Sequence, residues 1–300
     1  MGILLVLLAT LGWSLVGILV KLANTMVDTS IITFARFAIG VIFLAGLLLI
    51  KDGKISLRSN MKWIWLGAAG KSCNYLFENV AISMGYAYGN IIVSPIQMIA
   101  LMLISLFWLR EKISRKGWYS AVLCLVGIVL ISWNGQPLEL YMENSLIITL
   151  LFGLSALGSA VHVLSQKMLI KSMDSGNMNF SVFFWASIMT AIPLPVYSDG
   201  MIGPVTVPAV LALAGLGLIT GLSFYSFAEG LRRVDFSVAV IISNSMVLFT
   251  IIWSYVFFKE PITLYIIAGA MAFIIGLVWL NLPSRAQRVK IRDDTDVSTP

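Results

Sequence analysis

Apolar residues run through this 300-residue chain in long blocks separated by short polar stretches. A helix needs about 20 apolar residues to cross the hydrocarbon core of a bilayer. Ten blocks reach roughly that length, at about 3–22, 30–50, 63–84, 89–109, 117–133, 145–166, 178–197, 207–228, 236–258 and 262–281. The pattern predicts an all-α integral membrane protein of ten transmembrane helices, with no room for a soluble domain. The N-terminal block has no basic start and no small-residue cleavage site after it, so it reads as a first helix rather than a removable signal.

Composition sharpens this picture. Hydrophobic residues make up 59% of the chain and charged residues 11%, against about 25% charged in ordinary soluble domains. Such a chain cannot cover itself with polar groups in water. That excludes a soluble enzyme, a nucleic-acid binder and a disordered protein. The net charge of +6 and pI of 9.3 then point to basic loops facing an anionic membrane surface. Cys73 and Cys124 fall in apolar runs and are expected to be buried. Two thiols and the single histidine, His162, make neither a disulfide framework nor a zinc site, and no metal or cofactor motif is visible.

Charge also orients the chain. Sixteen basic residues fall on one side: four in 51–62, four in 110–116, Lys167, Lys171, Arg232, Arg233 and four in the tail. The opposite loops hold Lys259, with Lys21 and Arg36 near helix ends, and the acidic 134–144 segment. The positive-inside rule places both termini in the cytoplasm. The tail, 283–300, turns from basic to acidic and reads as disordered.

The two halves resemble each other. LFWLREKIS at the end of the fourth segment matches YVFFKEPIT at the end of the ninth, with Glu111 opposite Glu260 at an offset of 149. The same offset pairs Gly127 with Gly276 and Ala81 with Gly230. At an offset of 146, Leu11-Gly12 pairs with Leu157-Gly158 and Lys21 with Lys167. Five segments per half is an odd number, so the second half crosses in the opposite sense. The expected units are 1–135 and 145–282, related as inverted repeats. That architecture gives two alternative packings open to opposite sides, and it belongs to transporters.

With these motifs the chain resembles the EamA-type, ten-helix branch of the drug/metabolite transporter superfamily. The resemblance spans nearly all of 1–282. Trp13–Lys21, Ala81–Gly89, the Arg-Glu and Lys-Glu helix ends and Leu231-Arg232-Arg233-Val234 carry it. The sequence departs from the family pattern at Met98 and Val247, where proline often sits, and has Ser159 at the position matching Trp13. The resemblance implies a secondary transporter of small metabolites, often an exporter, with a cavity lined by the first, third, fourth, sixth, eighth and ninth helices.

Within the third segment, Lys71, Asn74 and Glu78 fall within about 60° of one another, with Tyr75 adjacent. A charge at the bilayer centre costs roughly 2.5–3.5 kcal/mol on insertion scales. The stripe must therefore face protein or water, as a cavity lining or as an interhelical ion pair. Opposite charges about 10 Å apart along the axis suit a zwitterion, its carboxylate at Lys71 and its ammonium at Glu78. That favours amino acids or related amine-bearing compounds as substrates. Trp13, His162, Ser159 and Asn244 are further candidate lining residues. Glu78 and His162 are the candidate proton-coupling groups, with protons as the coupling ion. Trp13 fits either stacking on substrate or core packing, and His162 either a cavity wall or a neutral interhelical hydrogen bond. Arg36 reads as an interfacial, snorkelling residue, and Glu111 and Glu260 as structural.

Two other classes compete. Ser155 and His162 have the residue types of a serine hydrolase pair, but seven residues on one helix set them about 10 Å apart along the axis, too far for a nucleophile–base bond. A non-transporting membrane partner is compatible with the same sequence. Ten helices suffice for a monomeric unit, and a homodimer is the alternative.

Overall fold

A computed structural model of the protein describes residues 2–107, 110, 114–138, 145–170, 172–231, 233–234, 242–243 and 245–281. All regular structure among these residues is helical. The helices are α1 (Gly2–Ser14), α2 (Val16–Ala23), α3 (Thr29–Asp52), α4 (Lys62–Met84), α5 (Val93–Phe107), α6 (Arg115–Trp133), α7 (Leu146–Leu169), α8 (Ser175–Ala191), α9 (Leu194–Tyr197), α10 (Val207–Leu231), α11 (Met246–Phe258) and α12 (Leu264–Asn281), with a 3-10 turn at Ala87–Ile92. Among the described residues, seven helical spans are long and apolar enough to cross a membrane, and Met246–Phe258 and Leu264–Gly276 are shorter apolar helices. α4 matches the seven in length but carries the polar stripe. Asn244, the Glu111 helix end, the acidic part of 134–144 and the tail after 281 lie outside the described residues.

Several segments differ from the pattern in the sequence. The first is broken at Leu15, where Thr250 Oγ1 donates to the Ser14 carbonyl at 3.4 Å and Trp253 Nε1 donates to Ser14 Oγ at 3.1 Å. Side chains of α11 thus supply partners at the break, as backbone irregularity in a membrane requires. The fourth segment opens as the 3-10 turn, with Pro95 in the first turn of α5, where its missing N–H costs little. The seventh starts earlier, capped by Asp174, whose Oδ1 accepts from Asn177 N at 2.9 Å. It gives way to a single turn at Pro193 and Pro195. Cys73 is exposed, against expectation; only Cys124 is buried.

Close helix crossings position the interior. α4 packs along α7, and a Cβ on Gly158 would lie 2.6 Å from the Gly70 carbonyl and 2.7 Å from Asn74 N. Small residues allow this approach, and dispersion and hydrogen bonding drive it where water is absent. The crossing sets Asn74, on the polar face of α4, against Ser155 of α7.

Candidate functional site

Lys71 lies nine residues into α4, about 14 Å from its start. Its Nζ donates to Asn74 Oδ1 at 2.8 Å, and Asn74 Nδ2 donates to Ser155 Oγ at 2.7 Å and to the Ser155 carbonyl at 3.2 Å. The ammonium also faces two rings, Tyr75 at 4.3 Å and Phe224 at 4.7 Å from the centroids. Such contacts partly compensate a desolvated cation. Among the described residues no carboxylate lies within ion-pair distance of Lys71.

Glu78 has a partner that its sequence context does not reveal. Arg36, expected at the interface from its place near a helix end, is 2% exposed and lies inside the bundle. Its Nη1 sits 3.4 Å from Glu78 Oε2 and 2.8 Å from Asn79 Oδ1, and its Cζ lies 3.5 Å from the Tyr75 ring centroid. Asn79 Nδ2 in turn donates to Thr33 Oγ1 at 2.8 Å. Arg36 stands seven residues inside α3, about 10 Å deep, where its side chain reaches a carboxylate sooner than water. The legible signal was an arginine within an apolar run, which by default marks a functional or paired position.

The remaining candidates surround this centre. Trp13 packs on Phe224 and Phe227, with centroids 5.3 and 5.2 Å apart, and its Nε1 is buried without a hydrogen-bond partner. His162 stands 6.1 Å from both Phe183 and Phe224. Its Nδ1 lies 3.3 Å from the Gly67 carbonyl, a hydrogen bond that requires the proton on Nδ1. Nε2 is then a buried acceptor with no hydrogen-bond partner among the described residues. Ser159 Oγ donates to Gln97 Oε1 at 2.7 Å, linking α7 to α5. Phe224 of α10 is therefore the common neighbour of Lys71, Trp13, His162 and Phe183, and nothing in its own sequence context marks it. Ser155 and His162 engage Asn74 and Gly67 respectively.

A second polar cluster lies at the far end of α2. Glu260 is buried, and its Oε1 accepts from Lys21 Nζ at 2.5 Å. Ala87 N lies 3.0 and 2.9 Å from its two oxygens, and Ser254 Oγ donates to Oε2. The cluster borders a cavity of about 590 Å³ lined by Tyr86, Tyr88, Gln136 and Phe258 among others. Glu260 thus ties together α2, the 3-10 turn and α11.

Comparison with known proteins agrees on one family. The model of the EamA-like transporter family matches residues 1–133 and 146–282. An uncharacterized inner membrane transporter of Escherichia coli, YhbE, is 24% identical over 94% of each chain. The pseudopaline exporter CntI of Pseudomonas aeruginosa is 21% identical over 93% of this chain and 95% of its own. A solved crystal structure superposes with a TM-score of 0.67, at 18% identity, over 93% of this chain and 97% of that one. That likeness shows a shared fold.

Proposed function

The chain belongs to the EamA-like transporter family, and on that premise we propose that it is a secondary active transporter exporting amino acids or related amine-bearing metabolites by alternating access. The observation that carries this reading is the buried Lys71 ammonium, which has an amide oxygen and two aromatic faces around it but, among the described residues, no carboxylate within ion-pair distance. A buried cation without a counter-ion is costly, and a substrate carboxylate supplies the missing charge. Arg36 offsets Glu78, so the centre formed by Arg36, Lys71 and Glu78 is one positive charge in excess. That favours an anionic group on the substrate. Glu78 Oε1 has no hydrogen bond among the described residues and is the acceptor for the substrate ammonium. Trp13, Tyr75 and Phe224 offer apolar surface to the side chain. Sugars have no use for this charge, and a nucleotide needs more than one free cation.

Alternating access follows from the inverted repeats, which matched packing supports. Gly12 of α1 abuts Ile219 and Ser223 of α10, and Gly158 of α7 abuts Gly70 and Asn74 of α4. The offsets of 146 and 149 carry the first set onto the second. Export is the direction named for the Pseudomonas relative. Protons are the proposed coupling ion, taken up by Glu78 first and His162 second. The excess of basic residues in one set of loops supports both termini in the cytoplasm.

A ligand-stabilisation screen on purified protein tests the substrate class. Zwitterionic amino acids should raise the melting temperature, and their methyl esters, which lack the carboxylate, should not. Stabilisation by sugars or nucleotides with no response to any amino acid would refute the reading.

A further inference from the structure

The cavity of about 590 Å³ beside the Lys21–Glu260 pair lies away from the Lys71 centre. Met84, one of its lining residues, stands thirteen residues beyond Lys71 on α4, about 20 Å along the axis. Its volume is that of a small-molecule site, and so is its make-up of apolar and aromatic walls with a few placed polar groups. Tyr86, Tyr88, Phe152 and Phe258 supply four rings. Tyr86 and Tyr88 stack, with centroids 5.1 Å apart and planes inclined by 16°. Tyr86 is nonetheless 39% exposed, so part of its ring is free to meet a ligand.

Two polar features of this cavity are left available by the fold. Tyr88 is 2% exposed, yet its hydroxyl has no hydrogen-bond partner among the described residues. A buried polar atom in that state carries a desolvation cost that a ligand atom relieves. The ion pair, in turn, offers the cavity its cation rather than its anion. Both Glu260 oxygens are taken, by Lys21, the Ala87 amide and Ser254, and its side chain is 6% exposed. Lys21 has three donors; among the described residues Glu260 takes one, and the side chain is 23% exposed. Its Nζ lies 6.0 Å from the Tyr86 ring centroid and 5.4 Å from that of Phe258. The ammonium and the Tyr88 ring are thus both neighbours of Tyr86.

We propose that this cavity is a second ligand site and that it takes an aromatic carboxylate. The carboxylate accepts from Lys21 and from the Tyr88 hydroxyl, both charge-assisted bonds. The planar body lies among Tyr86, Phe152 and Phe258. An amine finds no free carboxylate here, because Glu260, the one acidic residue lining the cavity, is saturated. The inference needs neither the Lys71 centre nor a particular transported substrate.

Equilibrium dialysis of radiolabelled indole-3-acetate against the detergent-purified full chain provides the test. Binding should saturate, and Tyr88→Phe should weaken it by about tenfold or more, the worth of a hydrogen bond to a charged group. Tyr88→Phe removes an atom without a hydrogen bond among the described residues, so its melting temperature should match the parent's. The charge is varied on the ligand, because Lys21→Met would strand Glu260. Indole-3-acetamide should bind about tenfold or more weakly, and octanoate, a carboxylate with no ring, should also bind more weakly. Lys71→Met should leave the affinity unchanged. Absence of saturable binding, parental affinity in Tyr88→Phe, either analogue binding as tightly as indole-3-acetate, or loss of binding in Lys71→Met would each overturn the second site. The amino-acid reading of the Lys71 centre is decided by transport of amino acids instead, so the two can fail separately.

Discussion

Arg36 and Glu78 meet in the interior of the bundle, Nη1 to Oε2 at 3.4 Å, with Asn79 holding the same nitrogen at 2.8 Å. The pair joins α3 to α4, and the Arg36 guanidinium and the Lys71 ammonium both lie over the Tyr75 ring. It leaves the two charged residues of α4 in unequal situations. Glu78 already has a cation, whereas Lys71 has an amide and two rings.

That inequality predicts opposite outcomes for mutation. Arg36→Met strands a buried carboxylate and should lower stability by about 3–5 kcal/mol. The double variant Arg36→Met/Glu78→Gln removes both charges and should recover most of the loss. Melting of the three detergent-purified proteins decides the matter; equal stability for Arg36→Met and the parent would mean the pair contributes nothing.

Gly17 gives a steric prediction. A Cβ there would lie 2.0 Å from the Ala87 carbonyl, a backbone atom with no room to yield. Gly17→Ala should separate α2 from the 3-10 turn and destabilise by about 1–3 kcal/mol. Gly153→Ala, which meets nothing within 4 Å, should be neutral or slightly stabilising because alanine favours a helix. Thermal unfolding of the two variants in parallel provides the comparison.

Asp28 carries a pH prediction outside the membrane. Its side chain caps α3 by accepting from Ser30 N and Ile31 N at 2.7 and 2.9 Å, and Oδ2 accepts from Gly200 N at 3.0 Å and from Ser198. Partial burial pushes its pKa up, but these hydrogen bonds together outweigh that and hold the carboxyl below its ordinary value. A lowered folded-state pKa stabilises the fold above the unfolded value, and the benefit is lost as pH falls through the folded one. Stability should therefore drop on acidification below about pH 4, the ordinary aspartate value. Asp28→Asn should be less stable at neutral pH and show a shallower acid dependence. An unchanged acid profile would remove Asp28 from that role.

Orientation has its own check. Lys54→Cys and Leu138→Cys, at exposed positions of different loops, should label from opposite faces, Leu138→Cys from outside intact cells. External labelling of Lys54→Cys would invert the proposed topology.

Much of the fold was legible because membrane insertion imposes a coarse rule: long apolar blocks become helices. What the blocks could not reveal was where helices break. Leu15 sits in an unbroken apolar run, and its break depends on Thr250 and Trp253 from a helix far along the chain. Lys71, Asn74, Tyr75 and Glu78 were legible because four polar or aromatic residues share one helical face. Arg36 was misplaced because distance from a helix end says how far a side chain must reach for water, but not whether a carboxylate stands closer. Phe224 was invisible because an aromatic residue in an apolar helix is ordinary until its neighbours are known.

The proposal turns on Lys71 as the receiver of the substrate carboxylate. The most direct measurement is amino-acid counterflow in proteoliposomes for the parent, Lys71→Met and Lys71→Arg, with melting temperature followed in parallel. Lys71→Met should fold normally and lose uptake by about 10- to 100-fold, the worth of a charge-assisted hydrogen bond. Lys71→Arg should retain part of it. Counterflow by Lys71→Met at the parental rate would contradict the assignment, and lost uptake accompanied by a collapsed melting temperature would make Lys71 a structural residue instead.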